Sequence, residues 1–217
     1  MRTRFDEQLS LLNRDMIELG SDCEQAIQTV SKAMRDRDTV LAATVPALNE
    51  EISHGGREIE ALCLRLLLQQ QPVARDLRQI SAALKMIYDL QRIGELASDM
   101  SDLIVYLKTC TASQLKQIDK MADEATSMVT YSIDAFVKKD EEQAKAVIRQ
   151  DDTVDAMFVK TKNGLTKMIA EDPDHSEYAL DLLMMAKYFE KIGDHAVNIA
   201  EWVVFSLTGV HRGETEL

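Results

Sequence analysis

The chain has 217 residues, 46% of them hydrophobic but only 5% aromatic, with 11 Met, 8 Gly, 3 Pro and a formal charge of −12. So few glycines and prolines exclude the many turns of an all-β fold, and an aliphatic, methionine-rich composition suits long helices. A charge of this sign repels phosphate backbones, and Arg75, Arg78, Lys85 and Arg92 are scattered, so nucleic acid is not an expected partner.

Cys23, Cys63 and Cys110 are odd in number and widely spaced in apolar or helical text. They read as reduced thiols of a cytosolic protein rather than as a disulfide frame or a zinc site. The start, Met1 to Glu7, is basic but has no apolar stretch behind it, as a signal peptide requires. The most apolar runs, 61–68 and 202–207, fall short of the roughly 20 residues a bilayer span needs. The expectation is a soluble, cytoplasmic protein with no direct membrane insertion.

Taken in order, the periodicity predicts six long helices in two sets of three. Phe5, Leu9, Leu12, Met16 and Leu19 step by three and four, and Met34 closes that first stripe. Asp36-Arg37-Asp38 makes a polar turn, with Asp38 as N-cap of a second helix over about Thr39–Gln70 that tolerates Pro46 early and is weakened at Gly55-Gly56. Pro72 opens a third helix striped by Met86, Leu90, Ile93, Ala97, Met100, Ile104 and Leu107. A fourth helix covers about Ala112–Lys138 and a fifth about Glu141–Ala170. Asp172-Pro173 starts the sixth, striped by Leu182, Met185, Phe189, Ile192, Ala196, Ile199, Val203 and Leu207. From Gly209 the chain is polar. The fold class is all-α.

The two sets of helices carry the same text. Arg92-Ile93-Gly94-Glu95 through Asp102 returns 99 positions later as Lys191-Ile192-Gly193-Asp194 through Glu201. Upstream, Ala33, Asp38, Asn49, Ile52 and Ser53 match Ala135, Asp140, Asp151, Val154 and Asp155 at a shift of 102. A period this long is a duplicated half-protein rather than a solenoid. The boundaries expected are 1–110 and 111–217, each a three-helix repeat.

Opposite the apolar stripes run polar ones, expected to face solvent: Lys85, Tyr88, Arg92, Glu95, Asp99, Asp102 and Tyr106, then Lys187, Glu190, Asp194, Asn198 and Glu201. Glu95 and Asp99 at i, i+4 place like charges about 5–6 Å apart, which costs a few tenths of a kcal/mol. A bound hard cation removes that cost, and Mg²⁺, Ca²⁺ or Mn²⁺, with Fe following, prefer such oxygen clusters. Against this stands the ordinary solvated helix surface, with Arg92 and Lys191 neutralising their stripes by i, i+3 pairing. The fifth helix adds Asp151-x-x-x-Asp155, where the first copy has Asn49 and Ser53, so cation binding is expected to be weaker in the first half.

Gly94 and Gly193 read as close helix contacts rather than phosphate cradles, since neither lies in a glycine-rich loop. Of His54, His175, His195 and His211, His195 sits in the acidic turn and reads as an exposed side chain or a metal ligand. Glu51-x-x-His54 is half of a carboxylate-bridged di-iron motif, which needs two. No Walker loop, nucleophile elbow or H-E-x-x-H is present, so catalytic machinery is not expected.

The pairing of R-I-G-E-L-A-S-D with K-I-G-D-H-A-V-N-I-A-E, preceded by Q-Q-Q-P-V-A-R-D-L-R, resembles the PhoU family of bacterial phosphate-transport accessory proteins over essentially the whole chain. The resemblance implies tandem three-helix bundles, often dimeric, in the cytoplasm. It implies negative control of the phosphate-starvation response, linking the ATPase of a phosphate-specific ABC transporter to a sensor histidine kinase. Some members hold iron or zinc clusters on their E/D-x-x-x-D motifs. By position that points to Glu95, Asp99 and, next along, Asp102 in one half. In the other it points to Asp151, Asp155, Asp194, Asn198 and, further along, Glu201. Asn49, Ser53, Gly56 and Asn198 depart from acids common in the family, which implies fewer or weaker metal ions. Two classes of function follow: a regulator that docks on protein partners, and a metal-binding carboxylate bundle for storage or catalysis.

Overall fold

The computed structural model describes residues 2–70, 73–109 and 112–210, and every regular element among them is helical. The long helices are α1 (Arg2–Asp36), α3 (Val45–Gln70), α4 (Ala74–Leu103), α5 (Ala112–Lys138), α6 (Glu141–Glu171) and α7 (Ser176–Thr208), and the short α2 is Thr39–Ala42. Three-ten turns at Ile104–Thr109 and Pro173–His175 close α4 and lead into α7. Pro72, Cys110 and His211, named above, lie outside the described residues.

Two boundaries differ from the periodicity. The expected single helix over Thr39–Gln70 is broken after Ala42, because the Pro46 ring would collide with the carbonyl four residues back in a continuous helix. As second residue of α3, Pro46 needs no N–H and is accommodated. The last stretch of the third predicted helix is a tighter turn from Ile104, which still buries Ile104 and Leu107.

The duplication is visible in atomic detail. Asp38 N–H donates to Ala33 O and Arg37 N–H to Met34 O, closing α1 with a left-handed residue at Arg37, φ 54°. At the end of α5, Asp140 donates to Ala135 O, Lys139 to Phe136 O, and Lys139 has φ 58°. Both are the paired bonds of a Schellman cap. Asp38 then accepts from Val40 and Leu41, and Asp140 from Gln143, so each capping acid opens the next helix.

Within repeat one, α1 runs alongside α4, where Cys23 Sγ lies 3.3 Å from Leu90 O, and α3 packs antiparallel on α4. In repeat two, Gln150 of α6 donates to Glu124 and Ser127 of α5, and Asp151 and Val154 of α6 face Gly193 of α7. The repeats join through α1 against α5 and α4 against α7, both antiparallel. The stripes of α4 and α7 are buried from Met86 to Met100 and from Leu182 to Val203. Cys23 and Cys63 are buried, unbridged core thiols, and burial pushes Cys63 up to about 12 and Cys23 in the same direction.

Gly94 and Gly193 sit at equivalent places in those crossings, but only Gly94 is tightly approached. A Cβ on Gly94 would lie 2.9 Å from Asn49 Oδ1 and 3.0 Å from Ile52 Cδ1; on Gly193 the nearest atom, Asp151 Oδ1, is 3.5 Å away. Gly94→Ala should therefore destabilise by about 1–2 kcal/mol through overpacking. Gly193→Ala should be neutral or gain up to about 1 kcal/mol of helix propensity. Urea denaturation of the two variants checks the contrast, and equal effects would contradict it.

Candidate functional site

The polar stripe of α4 faces outward as expected: Lys85, Tyr88, Asp99, Asp102 and Tyr106 are exposed, and Arg92 and Glu95 are half-buried. Arg92 donates to Glu95, and Lys191 donates to Asp194 at the equivalent place on α7. The neutralising i, i+3 pairs read from sequence thus form in both repeats. Desolvation raises the Asp99 carboxyl, opposed by Arg92 and reinforced by Asp102 and Glu95. Tyr188 of α7 reaches this stripe, its phenol raised by burial and then by Asp99 and Asp102.

In repeat two, α6 and α7 bring Asp151, Asp155 and Asp194 together. Asp151 Oδ1 is shielded from solvent and has no hydrogen-bond partner. Desolvation pushes its carboxyl up to about 6, reinforced by Asp155, Asp194, Glu190 and Asp152. Those acids leave an ionised Asp151 lacking a counter-charge. Asn49 Oδ1, the equivalent in repeat one, is likewise buried and unpartnered, but it carries no charge. The first half therefore has an equivalent unpartnered oxygen between helices without the same electrostatic demand.

The stripe on α7 does not lie wholly outward, contrary to the sequence expectation. Glu190 is 8% exposed, with Lys187 Nζ 2.5 Å from its Oε1 and Lys191 Nζ 3.7 Å from Oε2. Lys187 in turn sits 5.0 Å from the Phe158 ring centroid, so α6 covers this edge of α7. Asn198 is exposed as expected, and it also donates to Asp89 Oδ1 of repeat one at 3.1 Å. Glu201, two turns beyond Asp194, is half-buried.

Asp89 is the functional-looking residue that sequence periodicity missed. It is 4% exposed on α4, and both its partners come from α7: Asn198, and His195 Nδ1 at 2.8 Å. His195 is therefore a half-buried inter-repeat contact rather than an exposed side chain. The available signal was the position of Asp89 between Met86 and Ile93, at the margin of the apolar stripe. A single repeat's pattern gives no sign that another helix covers that margin.

Oxygen donors around an underneutralised Asp151 fit a hard cation or a borderline one such as zinc. The carboxylates are not already drawn into a shell: among the described residues no three His, Cys, Asp or Glu side chains are arranged to hold a metal ion. Loading would require Asp151, Asp155 and Asp194 to rotate together and Lys191 to release Asp194.

The raised carboxyl of Asp151 has a pH consequence. The folded protein keeps this proton to about pH 6, while the unfolded chain releases it near 3.8. The folded state therefore binds more protons in that window, and stability falls as pH rises through it. Asp151→Asn should raise Tm at pH 7.5 by roughly 2–4 °C and leave it unchanged at pH 3.5, by calorimetry. Removing Asp89 strands half-buried His195, so Asp89→Ala should cost about 1–3 kcal/mol in urea denaturation.

Comparison with known proteins agrees with this geometry. The PhoU domain family matches residues 16–104 and again 118–203. A Clostridium acetobutylicum protein named phosphate-specific transport system accessory protein PhoU homolog is 31% identical, covering 96% of each chain. A like-named Pseudomonas aeruginosa protein is 29% identical over 99% of this chain and 90% of its own. The crystal structure of PhoU from P. aeruginosa superimposes with a TM-score of 0.87, 29% identity, and coverage of 95% of this chain and all of that one. The Streptococcus pneumoniae PhoU structure, at 22% identity, shares the fold with the same TM-score over 98% of this chain and all of its own. With both repeats matched and the whole chain aligned, this protein belongs to the PhoU family.

Proposed function

We propose that this chain is a cytoplasmic regulator of phosphate uptake and a negative regulator of the phosphate-starvation response. It acts by docking rather than turnover, contacting the ATPase of a phosphate-specific ABC transporter and a sensor histidine kinase, as a homodimer. The observation carrying this reading is that accessory proteins of the phosphate-specific transport system align with it end to end. In support, no helix among the described residues is long and apolar enough to cross a membrane. The functional units in this reading are repeats 1–110 and 111–217.

Metal binding belongs to the same proposal. Asp151, Asp155 and Asp194 would hold a divalent, iron or zinc ion in repeat two, with Asn198 and Glu201 further along the ridge. Glu95, Asp99 and Asp102 would hold one more weakly in repeat one. A bound cation would neutralise the ridge and attract phosphate, which bare carboxylates repel. The unpartnered Asp151 oxygen also favours a second reading, a metal-storage or metal-dependent carboxylate bundle.

Deleting the gene should make phosphate-starvation genes constitutive, read from their transcripts in phosphate-replete medium; retained repression would overturn the regulatory reading. Asp155→Ala with Asp194→Ala should lower the metal content of purified protein more than Glu95→Ala with Asp99→Ala. Equal losses would contradict the assignment of the stronger site to repeat two. Stoichiometric redox-active iron without partner binding would favour the storage reading.

A further inference from the structure

Exposed apolar side chains gather at one end of repeat one. Leu64 and Leu68, four apart near the end of α3, are 48% and 84% exposed; Val73 and Leu77, four apart at the start of α4, are 63% and 44% exposed. Burying residues of this kind is what stabilises helices elsewhere in the chain, so leaving four together uncovered is unfavourable. Gly56 of α3 lies against Gln91, and Gly94 against Asn49, which fixes the antiparallel register of α3 and α4. Carried along both helices, that register brings the last turn of α3 level with the first turn of α4. The four residues therefore share one end of the hairpin.

The charge there is opposite to that of the whole chain. Residues 61–81 hold Arg65, Arg75 and Arg78 against the single acid Asp76, in a protein of net charge −12. Arg65 and Arg75 are exposed, and the Nε of half-buried Arg78 has no hydrogen-bond partner. Among the described residues none of the three makes an ion pair. Lys139, exposed at the α5–α6 turn of repeat two, lines a shallow dent with Arg75, Ser206 and Leu207.

From this juxtaposition of uncovered leucines and unneutralised arginines, we infer that the α3–α4 hairpin end docks an acidic segment of a partner protein bearing an apolar face. Charge complementarity selects an anionic partner, and the leucines select one with apolar side chains to bury. A narrow protein segment fits better than an anionic bilayer, since a lipid plane would also press on the strongly acidic remainder of the surface. The inference deepens the docking role proposed above and rests on it.

The full chain should be tested as wild type, Arg65→Glu/Arg75→Glu and Leu68→Ser, each verified as folded by circular dichroism. Arg14→Glu/Arg57→Glu serves as control on other parts of α1 and α3. Calorimetric titration against the cognate transporter ATPase and the kinase cytoplasmic region should show binding to at least one. The charge-reversed variant should bind that partner at least about tenfold more weakly, with less salt dependence, Leu68→Ser should bind it more weakly, and the control should match wild type. Wild type that binds neither partner refutes the regulatory reading and this inference with it. Wild type and variants that bind equally refute the inference alone. Loss of flotation with phosphatidylglycerol vesicles, with protein binding intact, would make the occupant a membrane instead. A change of sedimentation mass in the variants, with partner binding intact, would make it a second copy of the chain.

Discussion

Packing of α4 against α7 organises this molecule, because each helix is the innermost member of its own repeat and also the joint to the other. Their stripes bury Met86, Leu90, Ile93 and Met100 from one side and Met185, Phe189, Ile192 and Ile199 from the other. Hydrophobic area removed from water is the main stabilising term for helices of this length. Once those stripes are committed inward, the positions opposite them are fixed outward or sideways, and the acids fall where the helical repeat places them. The acidic ridges are thus a geometric consequence of the core.

Much of this was legible from residue order. Helix number, the cap at Asp38, the apolar stripes and the close contact at Gly94 follow from local spacing, which one helix's text contains in full; at Gly193 the expected close contact is only an ordinary one. The break at Ala42 required weighing Pro46 against the carbonyl behind it, a steric effect that a hydrophobic pattern does not register. Glu190 and His195 lie deeper than their spacing suggests, and Asp89 goes unmarked by it, for a different reason. Each lies at the margin of a stripe, and its burial depends on which neighbouring helix covers that margin. Local periodicity defines a helix's inner face; it is silent on how wide that face becomes when a second repeat packs against it.

The duplication also shows where the halves have diverged. Asn49 and Asp151 occupy equivalent places, each with an unpartnered oxygen beside the helix glycine. In one repeat that oxygen is an amide and in the other a carboxylate surrounded by further acids. The helical frame is shared, while the charge set within it differs, and the stronger electrostatic demand sits in repeat two. The opposite balance, three arginines and exposed leucines against the single acid Asp76, marks the far end of α3 and the start of α4 in repeat one.

Asp89 carries a consequence for the independence of the halves. A buried carboxylate is tolerated only where other groups satisfy it, and here both satisfying groups belong to the second repeat. Cut free, the first repeat would turn that carboxyl group and a bare aliphatic seam to water. The ancestral unit, if it once stood alone, had to do so with a different residue there or as a self-associating pair. For the first copy, the second thus supplies what a lone domain would have to provide for itself.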